Sequence, residues 1–489
     1  MTVMGQNIEQ SIFSQHDYKL FQCKLFEQLE QLKLNISKPS FGDEELKIGA
    51  ELEMYLVDKH GEAKLNNEIL LKNLNDKQFQ PELNQYNLEL NLSAFSQQGK
   101  PLSRLHDEMV DKTSKLEKVA EKYDTCVTPI GILPTLRKQH LNTDCMTNLP
   151  RYSCLAKHLY QERGDNFQVN INGQDPLIID FSDICAEGAN TSFQVHLMTK
   201  PEQLVNTYNA AQLTLPLVTA ISANSPIFLG NTLWHETRIA LFKQSLDIRH
   251  RDQYQWQQPT RVNFGHGWLR NNIWEFFAQT VSLYSPLIPY IDKQQNKTEL
   301  QLNELCLHLG TIWPWNRPVY SAENNGHIRL EFRAIPAGPT SIDMIANAAF
   351  AIGLATGLQD DIEELTAYIP FNFAEYNFYR AAQFGLDAKV LWPSENKYQP
   401  QEVDIKTIIA KLLPTALKGL LSLGIFEQEA QFYLNIIEQR LAKQFTGAVW
   451  QIETLASLKQ KMHTDKACQQ LVQRYIENSR SCQPVALWE

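Results

Sequence analysis

Carboxylates alternate with apolar residues in two short stretches of this sequence. In Ile48–Leu56 the even-numbered positions are apolar. Glu51 and Glu53 therefore project from the opposite face of a strand, roughly 7 Å apart. The stretch Asn87–Phe95 carries Glu89 on its polar face in the same way. Carboxylate oxygens gathered on one face are the ligands that hard divalent cations such as Mg²⁺ or Mn²⁺ prefer.

Two further stretches alternate in the same manner and add cationic side chains. Ser192–Met198 has His196 on its polar face, and His327–Ala334 has Arg329, Glu331 and Arg333. Imidazole is a common ligand of divalent cations, and guanidinium groups suit phosphate or carboxylate. If the four strands share one sheet, their polar faces form a site for a cation and an anion. The alternative, four ordinary strands with one face in solvent, stays open on the pattern alone.

Sequence motifs of several other enzyme classes do not occur. There is no G-x-x-x-x-G-K-[ST], no G-x-G-x-x-G and no G-x-S-x-G. Any use of ATP is therefore not of the P-loop type, and no nucleophile elbow is present. The run Trp313-Pro314-Trp315 fits either a stacking platform for a base or, more commonly, a packed loop.

The predicted elements that position these residues form a body of strands and helices with a helical segment at each end. Residues 1–45 form a predicted N-terminal helical segment, 46–400 a body of strands and helices, and 401–489 a C-terminal helical region. Helices are predicted in the body at Leu102–Tyr123, Glu202–Ala223 and Ser341–Gln359, and in the C-terminal region at Ile405–Gly419, Glu427–Phe445 and Ile452–Ser479, because apolar residues recur there every three or four positions.

Composition excludes several classes of protein. The 489 residues include 45 Lys+Arg and 55 Asp+Glu, a formal net charge of −10. This acidic balance argues against a nucleic-acid-binding protein. The most apolar stretch, Met344–Leu358, is short for a membrane span and suits a buried helix. Eight scattered cysteines without a C-x-x-C pair predict reduced thiols, and we expect a cytoplasmic protein that binds neither nucleic acid nor membranes.

Four segments, in order along residues 45–360, resemble the glutamine-synthetase-like carboxylate–amine ligases, and among them the plant and proteobacterial branch of the glutamate–cysteine ligases. The similar segments are Ile48–Glu53 (a Gly-x-Glu-x-Glu strand), Ser222–Pro226 with Gly230 and Thr237-Arg238, His308–Pro314 with Arg317, and Arg329–Arg333 with Pro336 and the helix after it. The resemblance implies an α+β fold, in which helices back the apolar face of a curved, mostly antiparallel sheet and a helical C-terminal region follows.

The resemblance also implies an activity and the residues that serve it. ATP would convert the γ-carboxylate of glutamate to an acyl phosphate, which an amine, by default cysteine, then attacks. The implied cofactor is Mg²⁺ or Mn²⁺, and the partners are ATP, glutamate and the amine. The implied metal ligands are Glu51, Glu53, Glu82, Glu89, His196 and Glu331, the implied catalytic residues are Arg329, Arg333 and Arg238, and the implied substrate-binding residues are Arg317, Asn224 and Ser225.

Two departures from the family pattern leave the acceptor open. The polar loop Tyr320–Gly326 is longer than in the plant-type branch, and Ala334–Pro339 follows Arg333 where that branch has an aspartate. Three interpretations follow: a glutamate–cysteine ligase, the same chemistry with another amine or amino acid, or a binding or regulatory protein that keeps the fold without turnover. The complete set of acidic and basic residues argues against the third.

Overall fold

An antiparallel sheet of eight strands lies at the centre of the protein. The computed structural model describes residues 12–250, 256–291, 298–393 and 400–489. In chain order the strands are β1 (Lys47–Val57), β2 (Phe79–Pro81), β3 (Asn87–Asn91), β4 (Phe95–Ser96), β5 (Cys126–Thr128), β6 (Phe193–Met198), β7 (Asn316–Ser321) and β8 (His327–Phe332). The order across the sheet is β7-β8-β6-β1-β3-β2, and β4 and β5 also pair with β1.

The register of this sheet brings the four alternating stretches together, which confirms the predicted antiparallel sheet. Glu53 of β1 lies opposite Glu89 of β3. His196 of β6 lies opposite Gly49 of β1 on one side and Glu331 of β8 on the other. Because side chains alternate across a strand, the acidic and basic residues share one face of the sheet.

Several of the helices cover the opposite, apolar face. The helices are α1 (Gln15–Ile36), α2 (Asn67–Leu74), α3 (Pro101–Ala120), α4 (Pro150–Arg163), α5 (Leu204–Ser222), α6 (Thr237–Ser245), α7 (Trp274–Leu283), α8 (Asn303–Leu309), α9 (Ser341–Gly357), α10 (Ile362–Tyr368), α11 (Phe371–Phe384), α12 (Ile405–Ser422), α13 (Glu427–Lys443), α14 (Gly447–Lys459) and α15 (Thr464–Arg480). Apolar residues of α3, α5, α9, α12 and α13 pack with those of the strands in one core. Burial of these apolar side chains is the main stabilising contribution to the fold.

The C-terminal helices belong to this packing. Helix α12 crosses α9 closely, because a Cβ atom at Gly419 would overlap the carbonyl oxygen of Gly353. Helix α13 inserts Arg440 beneath the sheet, where its guanidinium pairs with Asp343 at 2.8 Å and donates to Asn347. Helices α14 and α15 pack in a second core with residues around Tyr55 on the polar face. The division of the chain into 1–45, 46–400 and 401–489 stays a prediction.

Two predicted elements have different bounds in the structure. The predicted strand Asn87–Phe95 is two strands, because the carboxylate of Glu108 accepts hydrogen bonds from the backbone and hydroxyl of Ser93 and interrupts the ladder. The predicted helix Ile452–Ser479 is two helices, α14 and α15, with 460–463 between them. Apolar spacing continues through this break, so the periodic pattern does not reveal it.

Several shorter features complete the fold. Two-stranded pairs are formed by Phe167–Ile171 with Leu177–Phe181, Ile227–Phe228 with Asn231–Thr232, Val262–Asn263 with Trp313–Pro314, and Lys389–Trp392 with Gln401–Asp404. Trp315 is buried between Phe242 and Phe378, so the Trp-Pro-Trp run is packed, but its first two residues form a short strand rather than a loop. All eight cysteines are free. Within the described ranges no single helix is long and apolar enough to cross a membrane, and the one pair that passes together, α9 with α10, is bent by 92°.

Candidate active site

The first group of potential metal ligands spans three neighbouring strands. Glu51 of β1, His196 of β6 and Glu331 of β8 each offer a ligand atom, and these atoms lie within 4.8 Å of one another. The Nε2 atom of His196 lies 3.2 Å from Glu51 Oε1 and 3.9 Å from Glu331 Oε1. This nitrogen is buried and has no hydrogen-bond partner of good geometry. Such an arrangement suits a cation placed between the three side chains.

Cationic neighbours stabilise the ionised carboxylates of this first group. Burial alone would raise the pKa of Glu331, but the charges of Arg317 and Arg333 outweigh it and lower the pKa far below its usual range. Burial would likewise raise the pKa of Glu51, but interaction with His196 outweighs it and lowers that pKa. Both carboxylates are therefore anions at neutral pH, ready to bind a cation.

The second group consists of carboxylates alone. Glu53, Glu82 and Glu89 offer oxygen atoms that lie within 4.8 Å of one another. Burial and repulsion by Glu82 raise the pKa of Glu53 to about 7. Burial and the surrounding carboxylates raise the pKa of Glu89 well above its usual range, and Glu89 shares a hydrogen bond with Glu82. A shared proton thus holds these carboxylates together. A divalent cation would bind the same carboxylates more favourably.

Neighbouring polar groups fix the second group in place. Glu53 accepts hydrogen bonds from the backbone and hydroxyl of Ser192, at 2.7 and 3.0 Å, and from Gln194 at 2.9 Å. Asn91 donates to Glu89 at 2.6 Å. Ser192, Gln194 and Asn91 do not appear among the predicted site residues. Their place on the polar face of alternating strands is the signal that could have identified them.

Three arginines lie along the edge of the first group. Arg317 contacts Glu331 through two atoms, Nε at 2.7 Å and Nη2 at 3.2 Å. Arg333 bridges Gln194 and Glu331, the latter at 3.2 Å. Bidentate contact between a guanidinium and a carboxylate fixes both side chains. The sheet therefore brings together the predicted ligand Glu331 and two of the predicted arginines.

Arg329 contacts the imidazole that belongs to the first group. Its Nε donates a hydrogen bond to Nδ1 of His196 at 3.0 Å. Nδ1 is therefore the acceptor, and the proton of a neutral ring lies on Nε2. When Nε2 instead serves as a metal ligand, Nδ1 must carry the proton and cannot accept from Arg329. A cation bound there would therefore leave this guanidinium available to another anion.

Arg238 and Ser225, two of the remaining predicted residues, form hydrogen bonds with other parts of the chain. Arg238 is buried, pairs with Glu236 at 3.2 Å, and donates to the backbone carbonyls of Ala334 and Arg333. Ser225 donates its hydroxyl proton to Glu236 at 2.7 Å. These contacts hold the chain just after β8. Arg238 therefore positions Arg333, whose carbonyl accepts its hydrogen bond.

Asn224 links this segment to the C-terminal helices. Its amide donates to the carbonyl of Ala337 and to the Tyr475 hydroxyl of α15, each at 2.8 Å, and accepts from Gln451 of α14 at 2.9 Å. The side chain is fully buried. The structure thus places Asn224 and Ser225 in protein contacts, and their predicted role in substrate binding stays a prediction.

The residues present fit divalent cations. Each group supplies three oxygen or nitrogen donors of the types that Mg²⁺ and Mn²⁺ accept. In the first group Nε2 of His196 is buried without a hydrogen-bond partner, and in the second group the pKa values of Glu53 and Glu89 are raised by burial and by neighbouring carboxylates. In the part of the chain that the structure describes, no other set of three such side chains comes together in this way.

Comparison with known proteins gives a family match and similar folds. The model of glutamate–cysteine ligase family 2 matches residues 47–419. The crystal structure of glutamate–cysteine ligase from Francisella tularensis in complex with AMP has a similar fold, with a TM-score of 0.57, 13% sequence identity, and 90% of each chain covered. A bifunctional glutathione synthetase from Pasteurella multocida is also similar, with a TM-score of 0.43, 13% identity, and coverage of 93% of this chain and 55% of that chain.

A search of curated proteins by sequence finds no match. At 13% identity the likeness to the Francisella structure shows the fold alone. The family match, in contrast, extends over more than half of the chain and includes β1, β3, β6 and β8, the strands that carry both groups of ligands. On this evidence the chain belongs to the glutamate–cysteine ligase family 2.

Proposed function

We propose that this protein is an ATP-dependent ligase that joins the γ-carboxylate of glutamate to an amine, with cysteine as the first candidate. One observation carries the proposal: two three-donor groups and the guanidiniums of Arg317, Arg329 and Arg333 share one face of a sheet in a chain of this family. Carboxylate clusters beside arginines suit the binding of a nucleotide with its divalent cations.

The chemistry explains why such a site needs no protein nucleophile. A carboxylate is a poor electrophile, so the γ-phosphoryl group of ATP is first transferred to it to give an acyl phosphate. The amine nitrogen then bonds to the carbonyl carbon as the C–O bond to phosphate breaks. An ammonium substrate loses two protons overall, one retained by the phosphate ion and one released to solvent. Divalent ions, when bound, neutralise the charge of the phosphoryl oxygens.

Residues of this chain have distinct tasks in that sequence. Glu51, His196 and Glu331 would hold one cation, and Glu53, Glu82 and Glu89 would hold another. Arg329 and Arg333 contact the oxygens of the transferred phosphoryl group, for which a planar guanidinium is suited. Arg238 acts through its hydrogen bond to the carbonyl of Arg333. Arg317 orients Glu331.

The test is phosphate release from ATP in the presence of Mg²⁺ and glutamate, with a panel of amines and the product mass as readout. Release with cysteine and the mass of γ-glutamylcysteine supports the proposal in full. Release with glutamate and a different amine retains the mechanism and changes the acceptor. No release with any amine, from protein that still binds nucleotide, refutes the proposal and leaves a binding or regulatory protein.

A further inference from the structure

Gln194 of β6 links the two groups of ligands through its side-chain amide. The residue is 3% exposed, lies two residues before His196 on the same strand, and pairs in register with Glu51 of β1. Its Nε2 donates a hydrogen bond to Oε1 of Glu53 at 2.9 Å, and its Oε1 accepts one from Nη1 of Arg333. One neutral amide therefore contacts a carboxylate of the second group and an arginine beside the first.

The charges of these two neighbours determine the orientation of the amide. In the reversed orientation Oε1 would face the carboxylate of Glu53 and Nε2 would face the guanidinium of Arg333. Both contacts would then be repulsive, because a carboxylate can only accept hydrogen bonds and a guanidinium can only donate them. The amide of Gln194 thus has one donor and one acceptor in the places that these neighbours require.

Glu53 and Arg333 contact the same amide but do not pair with each other. The hydrogen bonds that Glu53 accepts come from the neutral groups of Ser192 and Gln194. Arg333 forms its ion pair with Glu331, at 3.2 Å. A guanidinium and a carboxylate that meet directly form strong, often bidentate contacts. A direct pair here would occupy carboxylate oxygens that a cation needs and guanidinium donors that a phosphoryl group needs.

We propose that Gln194 is a positioning residue that keeps Arg333 from pairing with Glu53, so that the carboxylate can bind a divalent cation and the guanidinium can bind the phosphoryl group. The inference rests on the proposed function, because the cation and the arginine are those assigned to phosphoryl transfer there. Gln194 itself contacts neither substrate in this assignment and acts through its two neighbours.

The variant Gln194→Met removes the amide at little change in volume. A thioether is a weak acceptor and no donor, so Arg333 loses its neutral partner and can reach Glu53. We expect the affinity of the second group for Mn²⁺ to fall by about tenfold or more, because the guanidinium then competes with the cation for Glu53. Calorimetric titration with Mn²⁺ in the absence of nucleotide measures this affinity. The binding step that Glu89→Gln abolishes is the step that belongs to the second group.

The same substitution in an Arg333→Met protein separates positioning from a general structural role. Without the guanidinium nothing competes for Glu53, so Gln194→Met should there change the Mn²⁺ affinity by less than about twofold. A residue needed only for packing would weaken Mn²⁺ binding equally with and without Arg333.

Gln97 offers a matched control. It is also 3% exposed, and its Nε2 donates to the backbone carbonyl of Met198 at 2.6 Å. Gln97→Met therefore removes a buried amide hydrogen bond outside both groups and should leave the Mn²⁺ affinity unchanged. Gln194→Leu is a second apolar replacement that should reproduce Gln194→Met and serves in its place if the methionine variant does not fold. Failure of both variants to fold would assign Gln194 to stability alone and overturn the inference.

The other failures are distinguishable. Unchanged Mn²⁺ affinity in Gln194→Met, an equal loss with and without Arg333, or a wild type that binds no Mn²⁺ would overturn the inference, while phosphate release by the wild type still decides the proposed function. A wild type that binds Mn²⁺ but releases no phosphate with any amine would refute the proposed function and the phosphoryl part of the inference. The titrations would then still show whether Gln194 keeps the two charges apart.

Discussion

Removal of divalent cations is expected to destabilise this protein progressively as the pH rises. Glu53, Glu82 and Glu89 are buried together, and the pKa of each is raised. A carboxyl group with a raised pKa keeps its proton in the folded protein at pH values where the unfolded chain has released it. Stability therefore falls as the pH rises between the two pKa values. A bound cation replaces the proton and should abolish this dependence.

The raised pKa of Glu53 sets the magnitude of this loss of stability. Its pKa is about 7 in the folded protein and 4.5 in an ordinary environment, and this difference corresponds to about 3 kcal/mol of stability lost between those two pH values. Unfolding entropies of about 2 cal/mol/K per residue convert this loss to a fall of about 3 °C in Tm for a chain of this length that unfolds as one unit. Glu82 and Glu89 act in the same direction and increase the effect.

Calorimetric unfolding from about pH 5 to about pH 8, in chelator and in millimolar Mg²⁺, measures this effect. In Glu89→Gln the amide reproduces the protonated carboxyl that bonds to Glu82, so the share of the pH dependence of Tm in chelator that comes from Glu89 should be lost while the share of Glu53 remains. Glu202→Gln, which removes an exposed carboxylate outside the site, is the matched control and should follow the wild type. Identical pH profiles of the wild type with and without Mg²⁺, or a full pH dependence in Glu89→Gln, would refute the electrostatic argument.

Three further predictions concern the residues around the ligands. Arg333→Lys should lower kcat by about tenfold or more in steady-state assays, because an ammonium group cannot reproduce planar contacts to two acceptors. Arg317→Met should lower the free energy of unfolding in urea by about 3–5 kcal/mol, since Glu331 loses its bidentate partner while it stays buried, and a loss below 1 kcal/mol would contradict that pairing. Asn224→Ala should cost about 2–4 kcal/mol in the same assay through its lost bonds, including that to Tyr475, whereas Tyr475→Phe should cost less.

Period-two alternation was sufficient to predict the central strands and the face that carries the charged side chains. Glu51, Glu53 and Glu89 could be assigned to one face because the side-chain direction in a strand depends only on local backbone geometry. Even the helices α3, α5 and α9 could be placed from apolar spacing, since a helix buries a stripe of residues close in sequence. The break between α14 and α15 was missed because the apolar spacing continues across it.

Which residues distant in sequence come into contact was decided by the tertiary structure alone. The sequence supplied Glu331, but only the pairing of β7 with β8 showed that Arg317 is bonded to it, and the predicted role of Arg317 in substrate binding stays a prediction. No signal in the sequence pointed to Glu187, which begins the 3₁₀ helix Glu187–Ala189 and whose pKa is raised by burial and by repulsion from Glu82 and Glu53, residues distant in sequence.

The amino-acid sequence by itself thus determined the alternating strands and the residue types on their polar face, because these depend on local pattern, and the resemblance of four motifs in order indicated the family and its antiparallel sheet. The tertiary structure decided how those residues divide into one group with cationic neighbours and one of carboxylates alone. Burial and charge at distances of a few ångströms set the pKa values of Glu53 and Glu331 in opposite directions. Such interactions act through space and depend on neighbours that only folding brings together.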